Sequence, residues 1–402
     1  MVRKGMSILA LFVIASTLVF AQENKKDTTE GYLFKPIIEL PATPIKDQYR
    51  SGTCWSFSSV SFLESEMMRQ GKPEVDLSEM FAVWHCYVKK ADKYVRMHGE
   101  TNFGPGGAFH DVTWVLKNYG MVPQEAYSGL VIGEDKPVHS EMDAVLKSNV
   151  EAVIQNKNKK LSPVWFEAFK DLLTNYLGEI PESFKYKGVE YTPKTFAKNY
   201  MGINPDDYVE IGSYTHHPFY EQFAIEIPDN WLWNKIYNVP IDEMMEVIDY
   251  ALENGYTIAW GADVSDKGFA TKTKGVAVVP EMDVTDMSDA EISKWENMNE
   301  KEKESELYKL EKPGKEKTIT QEMRQIDFDN YTSTDDHGMH IIGTARDQNG
   351  TIYYKVKNSW GEYNEYNGYF YASKAYVAMR TIDFMVHKDA IPKKIAKKLG
   401  MQ

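Results

Sequence analysis

Residues 48–57, QYRSGTCWSF, hold Cys54, one of two cysteines in the 402-residue chain. RSGT reads as a loop, and a helical pattern opens at about Trp55. A thiol at a helix N-terminus meets the positive end of the macrodipole, which favours the thiolate. Gln48 lies six residues upstream, and its amide can fold over beside the Cys54 backbone N–H to donate to an oxyanion. Far downstream, STDDHGMHIIGTARD sets His337 just before a strand, and KVKNSWGEYNEYNGY sets Asn358, Ser359 and Trp360 where a strand meets a turn. Thiol-based acyl transfer needs such a set: a thiolate, a histidine to exchange its proton, a group to orient that histidine, and oxyanion donors. Cys54 alone keeps three readings: a nucleophile, half of a disulfide, or a small buried apolar residue.

Other residue clusters carry less. Cys86 sits in the apolar stretch FAVWHCYV and reads as buried and inert, although a Cys54–Cys86 bridge is the one disulfide the chain allows. His337 and His340 form H-x-x-H, but residues three apart on a strand face opposite sides and are not expected to share a metal. His340 rivals His337 as the base; Asp336 before and Gly338 after favour His337. His216-His217 precede a proline, and neighbours in sequence diverge on helix or strand, so no zinc site is expected there. The chain has no phosphate-binding glycine motif. The reading is of no metal and no cofactor.

Taken in context, these segments resemble the papain-like cysteine peptidases. That family's glutamine–cysteine segment is matched by Gln48 and Cys54-Trp55-Ser56-Phe57, its histidine segment by Asp336-His337-Gly338-Met339, and its asparagine segment by Asn358-Ser359-Trp360-Gly361 with Gly368-Tyr369. All three occur in the family's chain order. The wide separation of Cys54 from His337, and stretches such as HHPFYEQFAIEIPDNW, resemble the bleomycin hydrolase and aminopeptidase C branch over roughly residues 35–395. The resemblance implies Cys54 as nucleophile, His337 as its acid–base partner, Asn358 holding the imidazole, and Gln48 with the Cys54 N–H as oxyanion hole. It implies that Trp360 shields the His–Asn hydrogen bond, that Asp336 supports His337, and that bare backbone at Gly106 and Gly107 binds an extended substrate. The positions of the disulfide common in secreted members hold Ser51 and Gly104-Pro105. The branch further implies peptide substrates, a homo-oligomeric (hexameric) ring and a C-terminal arm in the cleft; IPKKIAKKLGMQ is shorter and more basic than such an arm. The activity expected is peptide-bond hydrolysis through a Cys54 thioester, as an aminopeptidase first. An endopeptidase on the same site, or a catalytically silent peptide-binding module, is the alternative.

The elements that must position these groups are legible in part. Ser56–Arg69 suits a mostly buried helix, and Gly71 and Pro73 end it. Ser78 can cap a second helix, and HDVTWVLKNYG reads as a third that stops at Gly120. IDEMMEVIDYALENG is amphipathic and YTIAWGADV is a buried-strand pattern. Residues 292–317 are a charge run expected on the surface. The tail is β-rich, with turn signals at Asn349-Gly350 and Asn367-Gly368. Helices first and an antiparallel sheet late predict an α+β, two-lobed fold. The papain-like resemblance adds a large, mainly helical insertion at about residues 130–330.

Composition sets outer bounds. The net charge of −13 argues against a general nucleic-acid binder, which needs a basic footprint. MVRKGMSILALFVIASTLVFAQ has the layout of a signal peptide over residues 1–21, with the cut between Ala21 and Gln22. That leaves residues 22–402 as the peptidase domain, without stable membrane insertion, in the periplasm or secreted. Cleavage removes Arg3 and Lys4 and takes the charge to −15.

Overall fold

A computed structural model describes residues 31–283, 285 and 287–401; the expected signal peptide and its cut lie outside the described residues. The chain opens with β1 (Lys35–Glu39) and then builds helices α1 (Cys54–Arg69), α2 (Glu79–Arg96), α3 (Phe109–Asn118), α4 (Ser140–Ile154) and α5 (Trp165–Leu177). A hairpin of β2 (Phe184–Tyr186) and β3 (Val189–Tyr191) leads to the short α6 (Pro193–Thr195), which runs into a π-helical turn. Next come β4 (Tyr208–Gly212), β5 (Gln222–Ala224), β6 (Lys235–Asn238), α7 (Ile241–Glu253), β7 (Ile258–Ala262), β8 (Phe269–Ala270) and β9 (Val276–Ala277). The charge run forms α8 (Asp289–Glu296) and α9 (Glu300–Leu307), followed by α10 (Gln321–Asp329). The tail carries β10 (His337–Arg346), β11 (Ile352–Lys357), β12 (Tyr369–Ser373), α11 (Lys374–Arg380), β13 (Thr381–His387) and α12 (Lys393–Lys398).

Local chemistry explains the helix limits. Ser78 caps α2 by accepting from the Phe81 N–H at 3.1 Å. Asp111 accepts from the Ala108 N–H at 3.1 Å to start α3, and Gly120 leaves it at φ +92°. A side chain at Gly120 would strike the backbone of Pro193 at 2.3 Å, so glycine is required there twice over. On α7, Ile241, Met244, Val247, Ile248, Ala251 and Leu252 are buried, the spacing of one helical face.

One large sheet runs β5-β6-β4-β13-β7-β10-β11-β12-β9-β8, with β1 also paired to β10. It is mixed rather than wholly antiparallel: β4 pairs with β6, and β12 with β9, in parallel. It also recruits strands well before the tail. β4 escapes pattern reading because Glu210 occupies a buried position in its middle, where alternation predicts an apolar residue.

Among the described residues the two largest hydrophobic cores lie one among α1–α5 and one between α7 and the sheet. Helix α1 lies between them, packed on α2 and α3 on one side and on β7 and β10 on the other. A helix buried on all sides cannot leave polar groups unpaired. Its serines comply: Ser58 donates to the Cys54 carbonyl (2.8 Å) and Ser59 to the Trp55 carbonyl (2.7 Å).

Candidate active site

Cys54 is the first residue of α1, and no side chain caps that end. Thr53 would be the cap, but its hydroxyl is taken by Ser51 Oγ at 2.5 Å. The Cys54 N–H that opens the helix is therefore left for whatever occupies the adjoining cleft. That cleft, of roughly 380 Å³, is lined by Gln48, Cys54, Gly106, Gly107, His337 and Trp360 among others. Cys54 is partly exposed in it, and both cysteines are free thiols.

His337 and Cys54 line the same cleft because β10 packs on α1. At Gly338 a Cβ would come within 2.8 Å of Ser58 Oγ and 3.2 Å of Trp55 Cα. Only a residue without a side chain lets the strand approach this closely. The Gly338 and Trp55 backbone N–H groups favour the Cys54 thiolate. His337 Nε2 donates to Asn358 Oδ1 at 2.8 Å, which leaves Nδ1 as the ring's acceptor. Asn358 is itself held, its Oδ1 also accepting from the Ser359 N–H (2.8 Å) and its Nδ2 donating to the Tyr363 hydroxyl (3.1 Å). Trp360 stacks on the imidazole, with centroids 4.7 Å apart and planes 26° from parallel.

Gln48 is fixed by the same segment. Its N–H donates to the Ser359 carbonyl at 2.8 Å, and Ser359 Oγ donates to Gln48 Oε1 at 2.6 Å. With Oε1 occupied, the Gln48 amide can offer its N–H groups to the cleft it lines. The arrangement provides a thiol, a tautomer-fixed imidazole, and two donors for a tetrahedral oxyanion: the Gln48 amide and the Cys54 backbone N–H.

Burial dominates the electrostatics. It pushes the Cys54 thiol up to about 12, against the Gly338 and Trp55 N–H groups and with Asp335 and Asp229 adding to the rise. It pushes the His337 imidazole down to about 4, against the hydrogen bond to Asn358. Burial thus favours the neutral form of each group. Moving the proton from Sγ to Nδ1 creates both charges at once, and their attraction in a cleft of low dielectric offsets part of the burial cost.

Among the remaining sequence-read residues, Gly107 could carry no side chain, because a Cβ would meet Asp111 Oδ2 at 2.6 Å and Trp55 at 2.9 Å. Gly106 is covered: a Cβ there would lie 1.9 Å from Asp229 Oδ2. Asp336 lines the cleft but makes no hydrogen bond to His337; it accepts from Thr334 Oγ1 (2.7 Å) and the Val264 N–H (3.2 Å), tying two loops. His340 faces away from the cleft and bonds Ser61 Oγ at 2.9 Å. Cys86 is buried in the helical core. His216 and His217 do not diverge as expected. They sit in a turn, and both imidazoles converge on Glu226, at 3.1 and 2.7 Å. The reading of the sequence missed Tyr363, the clamp role of Ser359, and Asp229 and Asp383 in the cleft. Ser359, Tyr363 and Asp229 stood within recognised segments; Asp383 did not.

Comparison with known proteins settles the lineage. A family model described as the Peptidase C1-like family matches residues 13–307 and 290–402. The chain belongs to this family. Within the Peptidase C1-like family its relatives include aminopeptidase C of Lactococcus lactis subsp. cremoris, 22% identical over 390 residues that cover 88% of this chain and 83% of the relative. Aminopeptidase C of Streptococcus thermophilus is 22% identical over 419 residues, 92% of this chain and 85% of that one. The crystal structure of pepw from Lactobacillus rhamnosis superposes with a TM-score of 0.66 at 20% identity, covering 91% of this chain and 84% of that chain. The fold is papain-like, the branch is that of bleomycin hydrolase and aminopeptidase C, and the protein is a cysteine-type peptidase.

Proposed function

We propose that this peptidase is an aminopeptidase that removes N-terminal residues through a Cys54 thioester. The supporting observation is the seat of Asp229. Its carboxylate lies across Gly106, held by Asn102 Nδ2 at 2.9 Å, on the surface where an extended substrate would run past the nucleophile. A chain continuing across Gly106 collides with it, whereas a chain that starts at the cleaved residue does not.

In the reaction, His337 Nδ1 takes the Cys54 proton and Sγ attacks the carbonyl carbon. The oxyanion forms between the Gln48 amide and the Cys54 N–H. The C–N bond then breaks as the imidazolium protonates the leaving amine. Water, deprotonated by His337, hydrolyses the thioester and returns the thiol. Cys54→Ala is expected to retain the fold and lose hydrolysis of L-alanyl-amidomethylcoumarin, and wild type is expected to cleave that substrate far faster than its N-acetyl form. Unchanged turnover in the variant refutes the thioester route; equal cleavage of blocked and free substrates refutes aminopeptidase action.

Export is the second part of the proposal, resting on the n-region, apolar run and small-residue cut of residues 1–21. Mass spectrometry of the protein from its native host is expected to find a chain beginning at Gln22; a chain retaining residues 1–21 overturns it.

A further inference from the structure

The cleft holds more carboxylates than a Cys–His–Asn centre uses. Asp229, Asp335, Asp336 and Asp383 all line it beside Cys54 and His337. Asp336 is bonded to Thr334 and Val264, and Asp229 to Asn102. The carboxylates of Asp335 and Asp383 have neither a hydrogen bond nor an ion pair among the described residues.

Asp383 is the decisive group. It projects from β13, opposite Gly261 of β7, and is only 5% exposed. Its Oδ1 lies across that glycine, where a Cβ would approach it to 2.8 Å, and Gly261 is itself cleft lining. A buried carboxylate without a partner is unfavourable unless a cation joins it. The nearby cations His110 and Arg324 act on Asp383 through space, but neither hydrogen-bonds it, although Arg324 Nη2 and His110 Nε2 are themselves buried without a partner. His110 Nδ1 bonds Glu210 at 2.7 Å, Arg324 Nε bonds the Ser213 carbonyl at 2.9 Å, and Lys90 bonds the Gly104 and Gly106 carbonyls. Burial, Glu210 and Asp335 together raise the Asp383 carboxyl well above the ordinary carboxylate range, and burial with Asp229 and Asp336 raises Asp335 to about 8.

We infer that Asp383 and Asp335, with Asp229 at the rim, form a subsite for a substrate ammonium group, the free α-amino group of the residue whose carbonyl Cys54 attacks. This rests on the aminopeptidase reading and names what the enzyme recognises. An ammonium has three diverging N–H donors, which suits carboxylates spread along a cleft. A metal ion suits them less. Among the described residues, the one set of three or more metal-binding side chains whose ligand atoms lie within 4.8 Å of one another is His216, His217 and Glu226, away from these carboxylates. A lysine side chain carries the same alkylammonium chemistry, so the test separates the two sources.

Asp383→Asn and Asp335→Asn are compared with wild type on L-alanyl-amidomethylcoumarin, its N-acetyl form, and N-acetyl-lysyl-alanyl-amidomethylcoumarin, with iodoacetamide alkylation of Cys54 as the neutral readout. The expected result is a loss of about 10- to 100-fold in kcat/KM on the free-amine substrate, mainly in KM, with the alkylation rate unchanged in Asp383→Asn; in Asp335→Asn alkylation can only quicken, because that carboxylate raises the Cys54 thiol. Asp383→Glu should restore part of it. A loss confined to the lysyl substrate assigns the ammonium to a side chain and keeps the cation subsite. Equal changes on all three substrates, or none, overturn it. If wild type cleaves N-acetyl-alanyl substrate as fast as the free amine, the aminopeptidase reading fails by itself, and the lysyl arm still decides the subsite.

Discussion

Ser359 holds Gln48 at two points, through its carbonyl and its hydroxyl, across 311 positions of sequence. Removing the hydroxyl frees the amide to rotate, so that its oxygen can face the oxyanion in place of its nitrogen. Ser359→Ala is therefore expected to lower kcat about 10-fold with little change in KM, and Gln48→Ala about 100-fold, in the range set by loss of one oxyanion donor. Steady-state kinetics decides; a Ser359→Ala effect confined to KM would contradict the clamp. At this scale the sequence is informative where a residue's job shows in its neighbours. Cys54 opens a helix, His337 precedes a strand beside a glycine, and Asn358 ends one. Asp229 and Asp383 have no such local mark. Their placement depends on which strand lies beside which, and short-range pattern carries no information on that.

At the scale of elements, the site is the contact of α1 with β10, and Gly338 sets its distance. Gly338→Ala would drive a methyl group toward Ser58 Oγ and the α1 backbone. The expected cost is about 1–3 kcal/mol of stability, as for overpacking elsewhere, together with a fall in kcat larger than that in Ser359→Ala. Chemical denaturation and kinetics on the same preparation check both; full activity would show that the gap tolerates a methyl group. Helices α2, α3 and α7 were readable because caps, stop glycines and one-sided apolar spacing are local facts. The tail hairpin was readable from Asn349-Gly350, where Gly350 takes φ +92°. The sheet order was not, since β13 pairs between β4 and β7 by long-range contact alone.

Across the whole molecule, the helical lobe and the sheet are joined by a buried pair. His110 of α3 bonds Glu210 of β4 through Nδ1 at 2.7 Å. Burial alone would lower this histidine, but Glu210 outweighs it and raises it to about 9. A histidine raised on folding contributes stability that is complete below its unfolded value near 6.5 and is lost as pH climbs through about 9. Stability should fall by about 1.4 kcal/mol per pH unit across that window. His110→Gln should remove the slope; melting curves between pH 6 and 10 measure it, and an unchanged slope in the variant would reject the pair as its source. The chain's last helix takes no part in the cleft. Ile395 and Leu399 of this region pack into the core beside α7, while Lys394 and Lys398 pair with Glu246 and Glu243. On the proposed aminopeptidase reading, the Asp229 carboxylate across Gly106 is expected to decide which reagents can reach the thiol. Peptidyl electrophiles with a bulky N-terminal cap, the usual format for open-cleft cysteine peptidases, meet a carboxylate where their cap must lie. An inhibitor or activity probe for this enzyme should instead be a single amino acid with its amine free, carrying its warhead in place of the carboxyl group.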